Sequence, residues 1–339
     1  MRSLPSCWVM SDGRAGIENP CLGLAEAMGL APLVKRVALR TPWRQTTPYL
    51  PLPGLWALPQ VLGADSANLA PPWPDLLITS GRQAVGLSML LGRQAPGMVR
   101  VHIQNPGVPY SRFDLVSLPR HDDRHGANVV ESTGAIHRVT PAKLEAAARH
   151  FAPITHGLGR PLVAVLIGGS NRFSTLTPAI TTTLADRLAA LARQGAGLMI
   201  TTSRRTGAEN EAILREKLAG VPLFLWDGAG ENPYFGLLAL ADALIVTADS
   251  VAMVSEATST GKPVHIIDLA GNAPKFQRFH DLLRSDGITR PFEGRLESWT
   301  YHPLDDTARL ATRTWQVLAA KGGFTPPAVG TDKVTSQSR

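Results

Sequence analysis

The stretch LVAVLIGGSNRFSTLTPAI, residues 162–180, decides how the chain is read. Six apolar residues in a row, Leu162 to Ile167, fit a strand buried on both faces. Gly168 and Gly169 then remove the side chains that would hold another group off the backbone. Ser170 and Asn171 add small polar groups and Arg172 a cation, and Thr177 before Pro178 reads as a helix N-cap with proline in the first turn. A strand, a glycine-rich break and a helix suit an anion seated against the break. They equally suit a plain tight turn, which uses glycine for backbone reasons alone.

The same alternation runs outward from this unit. The helix over 178–193 closes at Gly195 and Gly197, LMITT (198–202) leads into SRRTG, and a helix covers about 208–218. LFLW (223–226), a helix introduced by Asn232 and Pro233, ALIVT (243–247), a helix over about 250–260 stopped by Gly261, and VHIID (264–268) continue the series. This is the pattern of a parallel sheet with crossover helices. In the first half, CWVM (7–10) runs through SDGRAGIEN into a helix over 20–28, and LLIT (76–79) runs through SGRQA into another. VRVHI (99–103), FDLVSL (113–118) and NVVE (128–131) read as further strands. Residues 41–74, rich in Pro and Trp, defy a regular assignment and read as a surface subdomain or a lid. Thr140 and Pro141 start a helix to about His150, and APITHGLGRP (152–161) is the most linker-like stretch.

With 339 residues the chain exceeds the usual size of one hydrophobic core. The reading is therefore an α/β protein of two Rossmann-like domains facing across a cleft. The N-terminal domain covers 1–155 with the 41–74 insertion, the C-terminal domain covers 156–325, and 326–339 form a polar tail. Ligands of such folds bind at the carboxyl ends of the strands, where all the loops quoted above lie.

Composition narrows the classes. Hydrophobic content of 44% and charged content of 18% describe an ordinary globular chain. Cys7 and Cys21 are the only cysteines, too few for a metal cluster or a disulfide framework, which fits a reducing compartment. The N-terminal apolar run is too short for a signal-peptide core, and no stretch approaches the roughly 20 apolar residues of a spanning helix. The expected location is the cytoplasm, or the inner face of a membrane as a peripheral protein. The net charge of +7 is uneven: Lys plus Arg number 15 against 10 Asp plus Glu through residue 155, and 19 against 17 afterwards. Such an excess suits phosphorylated substrates or an anionic membrane surface. No basic run interleaved with aromatics points to nucleic acid.

Three loops of the second half carry the chemistry: GGSNR, SRRTG and ADSVAMVSEA. If their strands are parallel neighbours they converge on one rim. There they offer backbone amides, including Gly169, the hydroxyls of Ser170, Ser203 and Ser250, the amide side chain of Asn171, and the cations of Arg172, Arg204 and Arg205. That set suits a diphosphate. Glu256 sits mid-helix among small apolar residues, where a carboxylate can accept both hydroxyls of a ribose diol. The competing readings are solvated arginines and an exposed helical glutamate. No D-x-D motif occurs, and the Asp pairs at 122–123 and 305–306 are adjacent, so their side chains diverge on regular backbone. Neither a metal nor a cofactor is implied, and leaving-group charge would fall to amides, a helix N-terminus and arginine.

ADSVAMVSEATSTGKPVHIID resembles the nucleotide-sugar segment of MurG-type GT-B glycosyltransferases. LIGGSNR resembles their diphosphate loop, and SDGRAGIENPCLGLAEAM their first Gly-rich loop. Over nearly the whole chain the closer resemblance is to bacterial relatives of the plant mitochondrial-fission Elm family. It is carried by SDGRAGIENPCLGLAEAMG, HIQNPGVP, FDLVSLPRHDD, NVVESTGAIHRVT, NPYFGLLALADALIVTADSVAMVSEATSTGKPVHIIDL and KFQRFHDLL. The resemblance implies diphosphate contact at Gly169 and Ser170, ribose contact at Glu256, and glycosyltransferase activity in a bacterial member. For the plant branch it implies recruitment of a dynamin-like fission factor. Where the MurG-type first loop has a histidine three residues before its proline, this chain has Ile17.

Inverting transfer needs a general base for the acceptor hydroxyl. Asp12 and Glu18 flank the first loop and His121 lies in PRHDD, and these three are the candidates. The leading expectation is a metal-independent inverting glycosyltransferase that moves a sugar from a nucleotide-diphosphate donor to an envelope or lipid-linked glycan. The acceptor would enter from the basic N-terminal half. The alternatives are a non-catalytic GT-B-fold adaptor related to mitochondrial-fission proteins, for which Ile17 speaks, and a nucleotide-sugar epimerase.

Overall fold

The computed structural model describes residues 4–271 and 273–327. Two parallel sheets, each flanked by helices, build two compact units. The first sheet contains β1 (Cys7–Ser11), β2 (Leu33–Arg36), β3 (Leu76–Ser80), β4 (Val99–Ile103), β5 (Leu115–Pro119) and β6 (Val129–Ser132), in the order β2-β1-β3-β4-β5-β6. Its helices are α1 (Ala15–Ala27), the short α2 (Trp43–Thr46) and α3 (Leu58–Val61), and α4 (Arg82–Gln94). All five residues of β1 and of β3 are buried, as strands covered on both faces must be.

In the second unit the strands are β7 (Leu162–Ile167), β8 (Gly197–Thr202), β9 (Leu223–Trp226), β10 (Ala243–Thr247), β11 (Val264–Ile267) and β12 (Thr289–Pro291). Their order is β12-β11-β10-β7-β8-β9, and every neighbouring pair is parallel. Its helices are α5 (Pro141–Phe151), α6 (Pro178–Arg193), α7 (Ala208–Lys217), α8 (Tyr234–Leu240), α9 (Val251–Thr258) and α10 (Pro274–Ser285), and α11 (Asp306–Gly322) comes after them in the chain. Leu162, Ala164 and Leu166 point into one hydrophobic cluster and Val163, Val165 and Ile167 into the other, so β7 is the spine of the unit. Each of its larger side chains contributes on the order of 1.5–3 kcal/mol by leaving water. Thr177 caps α6, its hydroxyl accepting from the Ile180 amide at 3.2 Å.

The chain is divided differently from a single boundary at 155/156. Residues 118–125 and 131–307 cluster together, and 308–327 cluster with the N-terminal residues. The reason lies in packing, since α5 lies against α8 of the second unit while Leu310, Trp315 and Leu318 of α11 are buried in the first. Residues 328–339 of the polar tail lie outside the described residues. Residues 41–74 form a packed lobe, with Leu52, Ala57, Leu58, Val61 and Leu69 buried in one cluster with Leu87, Leu90 and Leu91 of α4.

Candidate functional site

The second sheet reverses strand order between β7 and β10, the topological switch point at which α/β sheets open a crevice for ligands. The three loops converge there as expected. The Ser170 amide donates to the Arg205 carbonyl at 3.1 Å, the Ser203 hydroxyl to the Gly168 carbonyl at 2.6 Å, and the Asn171 side-chain amide to the Asp249 carbonyl at 3.3 Å.

What lies against the glycine break is part of the protein itself. The buried Asp249 carboxylate accepts from the Gly169 amide at 3.1 Å, from the Thr247 hydroxyl at 2.7 Å and from the Arg205 guanidinium at 2.7 Å. A Cβ on Gly168 would run into this carboxylate, and one on Gly169 into the Arg205 carbonyl and Thr206 amide. The Gly168 amide donates to the Thr247 hydroxyl at 2.8 Å and the Asn171 amide to the Ser174 carbonyl at 2.8 Å. Together with the Gly169 and Ser170 amides, four successive donors are therefore satisfied internally.

The hydroxyls are likewise engaged. Ser170 Oγ accepts from the Leu176 amide at 3.1 Å and Ser203 Oγ from the Arg205 amide at 3.1 Å. Ser250 Oγ accepts from Met253 at 3.3 Å as the N-cap of α9. Asn171 Oδ1 closes its own turn on the Phe173 and Ser174 amides. Arg172, over the Phe173 ring at 4.2 Å, and Arg204 are exposed at the rim. A diphosphate seated at Gly169 would have to take the place of the Asp249 carboxylate and draw Arg205 to itself.

Glu256 stands six residues beyond the α9 N-cap, about 9 Å along the helix. That separation is comparable to the span from the ribose diol of a nucleoside diphosphate to its terminal phosphate. The Tyr234 hydroxyl at the start of α8 donates to Glu256 Oε2 at 2.6 Å, and among the described residues no hydrogen bond reaches Oε1. Burial pushes the Glu256 carboxyl up to about 7, the Tyr234 bond opposing it, and burial beside this carboxylate raises the Tyr234 phenol. Because the folded value lies above the ordinary 4.5, the proton on Glu256 stabilises the fold fully below pH 4.5, and that contribution is lost as pH rises through about 7. Urea unfolding at pH 5.5 and pH 8 should show wild type losing stability relative to Glu256→Gln, whose amide does not titrate.

Of the three base candidates, the two carboxylates belong to the first unit and are engaged, and the histidine belongs to the second. In the first unit Glu18 is buried, accepting from Ser11 Oγ at 2.9 Å and from two nitrogens of Arg36 at 2.9 and 2.8 Å. Asp12 meets Arg14 at 2.6 Å, and although burial favours its neutral form, hydrogen bonds from Arg14 and Gln83 hold its carboxyl below the usual range. Ile17, at the histidine position, packs against Gly81. His121 belongs to the second unit. It is buried edge-on to Phe279 with Nδ1 unpartnered, and burial lowers its imidazole to about 4. Among the described residues no cluster of three or more His, Cys, Asp or Glu could hold a metal ion.

Sequence reasoning missed Asp249 and Tyr234. The first is the residue that comes two after a buried strand and faces a glycine pair, and the second opens a helix after Asn232-Pro233, so both had a positional signal.

Three comparisons bear on this geometry. The chain is 34% identical over 277 residues to the mitochondrial fission protein ELM1 of Arabidopsis thaliana, a match covering 74% of the chain and only 65% of the plant protein's length. It is 26% identical over 354 aligned positions to an uncharacterised protein of Rickettsia prowazekii, covering 90% of the chain and 96% of that protein. The UDP-GlcNAc 2-epimerase of Methanocaldococcus jannaschii superposes with a TM-score of 0.50 at 10% identity, covering 93% of this chain and 99% of the other, a likeness of fold that identifies the two sheets as a GT-B-like pair of Rossmann domains. The family model for mitochondrial fission ELM1 matches residues 15–318, and the chain belongs to that family.

Proposed function

We propose that the protein binds a nucleotide-diphosphate sugar at the carboxyl edge of its second sheet, with the ribose diol on Glu256. The observation that carries this reading is the Tyr234–Glu256 pair, which fixes one carboxylate oxygen and leaves the other to a ligand, in a fold shared with an enzyme named for a nucleotide sugar. The diphosphate would lie toward the α9 N-terminus, with Gly169, Ser170, Asn171, Ser203 and Ser250 shaping the edge and Arg172, Arg204 and Arg205 supplying charge.

The engaged carboxylates bear on the chemistry available once the nucleotide sugar is bound. Transfer to an envelope or lipid-linked glycan requires a base that takes the acceptor proton, and Asp12 is the candidate whose partner, Arg14, is itself largely exposed and able to leave. Glu18 is clamped by Arg36 and His121 is a weak base. Epimerisation of the bound nucleotide sugar needs no acceptor. A non-catalytic adaptor related to the fission proteins is favoured by one further observation: the Asp249 carboxylate itself takes the place in the glycine cradle where an anion would sit. Epimerisation likewise needs a base, to take the proton from a sugar carbon, so the engaged carboxylates weigh on both catalytic readings; the shared fold supports the epimerase and the filled cradle the adaptor.

Incubating the protein with UDP-GlcNAc and related nucleotide sugars, with and without membrane lipid extract, and monitoring products by NMR separates the three. A changed sugar still on its nucleotide identifies an epimerase, free nucleotide formed only with extract a transferase, and unchanged ligand that still binds an adaptor. Turnover undiminished by Glu256→Ala would overturn the placement of the site.

A further inference from the structure

Five large apolar side chains among the described residues are more than half exposed, and three of them, Tyr49 (69%), Leu50 (54%) and Trp56 (76%), fall in one short piece of the 41–74 lobe. The exposure is not slack packing. Leu52, Ala57, Leu58 and Val61, interleaved with these residues, are buried against α4. The Arg82 guanidinium donates to the Thr47 and Gln45 carbonyls at 2.5 and 2.8 Å and lies 5.3 Å from the Tyr49 ring. Trp56 folds over Gly54, where a Cβ would meet its indole at 2.8 Å. The lobe is thus held with Leu52, Ala57, Leu58 and Val61 turned to α4 and Tyr49, Leu50 and Trp56 turned to solvent.

Its charge is one-sided. From Glu26 to Asp65 there is no carboxylate between, while Lys35, Arg36, Arg40 and Arg44 fall in that interval. Arg40, Arg44 and Arg82 are exposed. Tyr and Trp favour the boundary between water and lipid, and arginines beside them draw such a surface to anionic headgroups. No helix of the described residues is long and apolar enough to cross a membrane, so this surface would lie on the bilayer.

We propose that the 43–56 segment is an interfacial anchor that seats the first unit on an anionic membrane surface. Trp56, Tyr49 and Leu50 enter the headgroup region, and Arg40, Arg44 and Arg82 pair with lipid phosphates. Apolar insertion and charge are each marginal alone and act together. None of the anchor's residues is among those assigned to the nucleotide site, and none belongs to the second unit.

Flotation of the full chain with phosphatidylcholine vesicles, and with vesicles of three parts phosphatidylcholine to one part phosphatidylglycerol, tests it. Wild type is expected to float with the anionic vesicles at least about tenfold more than with neutral ones, and high salt should release it. The triple change Tyr49→Ser, Leu50→Ser, Trp56→Ser should lower partitioning by about tenfold or more, and Arg40→Glu with Arg44→Glu should abolish the preference for anionic lipid. All five positions are exposed, so melting temperature and nucleotide binding should stay at wild-type values. Absence of flotation, equal flotation of the triple variant, or a self-associating wild type that the triple change turns monomeric would each overturn the proposal, the last in favour of an interface between copies.

Discussion

Gly169→Ala is expected to leave the second unit unable to fold stably. The new Cβ would fall onto the Arg205 carbonyl and the Thr206 amide, and these are backbone atoms that no rotamer change can move aside. Gly169 also has φ of +154°, a region that L side chains rarely adopt. Overpacking and backbone strain each cost on the order of 1–3 kcal/mol, and their sum is a large part of a domain's net stability. Urea unfolding, or the soluble yield where the variant does not refold, measures the effect. Gly168→Ala provides the contrast, because the atoms its Cβ would meet most closely belong to the Asp249 side chain rather than to backbone. Its loss should be smaller, and the double variant with Asp249→Ala should lose less than the sum of the two single variants, because the clash disappears with the carboxylate. Gly16→Ala, with open space around its Cβ inside α1, should be neutral or slightly stabilising.

Asp306→Ala is expected to cost about 3 kcal/mol or more, since two buried amides lose their acceptor at once. The Asp306 carboxylate receives the Thr133 amide at 3.0 Å and the Gly134 amide at 2.8 Å. Thr307 Oγ1 receives the His137 amide at 3.1 Å, and Ser255 Oγ the Ala135 amide at 2.8 Å. Segment 133–137 is irregular and closely packed, a Cβ at Gly134 meeting Ser255 and Leu304, so its amides have no strand to pair with and depend on these side chains. Asp306→Asn keeps an acceptor oxygen and should recover part of the loss. Equilibrium unfolding of the two variants beside wild type checks the ordering.

The parts of the fold that the sequence revealed are those in which one local rule acts alone. Leu162 to Ile167 and Pro178 to Arg193 match the expected strand and helix residue for residue, because a fully buried strand is an unbroken apolar run and a Thr-Pro cap marks a helix start. Helix α1 begins at Ala15 rather than Pro20, since the Arg14 carbonyl already takes the Ile17 and Glu18 amides and the proline falls in the second turn. The lobe over 41–74 had no period to read, its buried residues being set by α4 rather than by a regular repeat of its own. Helix α11 did carry a signal, Leu310, Thr314, Trp315 and Leu318 at helical spacing, but nothing in its own residues said which core it would join.

The site divides in the same way. Convergence of the three loops was implied by parallel strand order and is what the structure contains. The aim of each side chain was not. A serine or an aspartate beside a glycine pair can face a ligand or turn back to the loop, and Ser170, Ser203 and Asp249 turn back because three backbone amides and a carbonyl there take them as partners. Glu256 is the exception, a buried carboxylate held by one phenol, its other oxygen receiving no hydrogen bond from the described residues.

The most direct test of the nucleotide site is therefore calorimetric titration of UDP, GDP, ADP and CMP into wild type and Glu256→Ala near pH 8, where Glu256 is mostly ionised. One nucleotide binding wild type selectively, with affinity lowered about tenfold or more by the substitution, is the result expected when two hydroxyl hydrogen bonds to a carboxylate are lost. No binding at millimolar nucleotide, or equal affinity in the two proteins, would contradict a ribose site at Glu256.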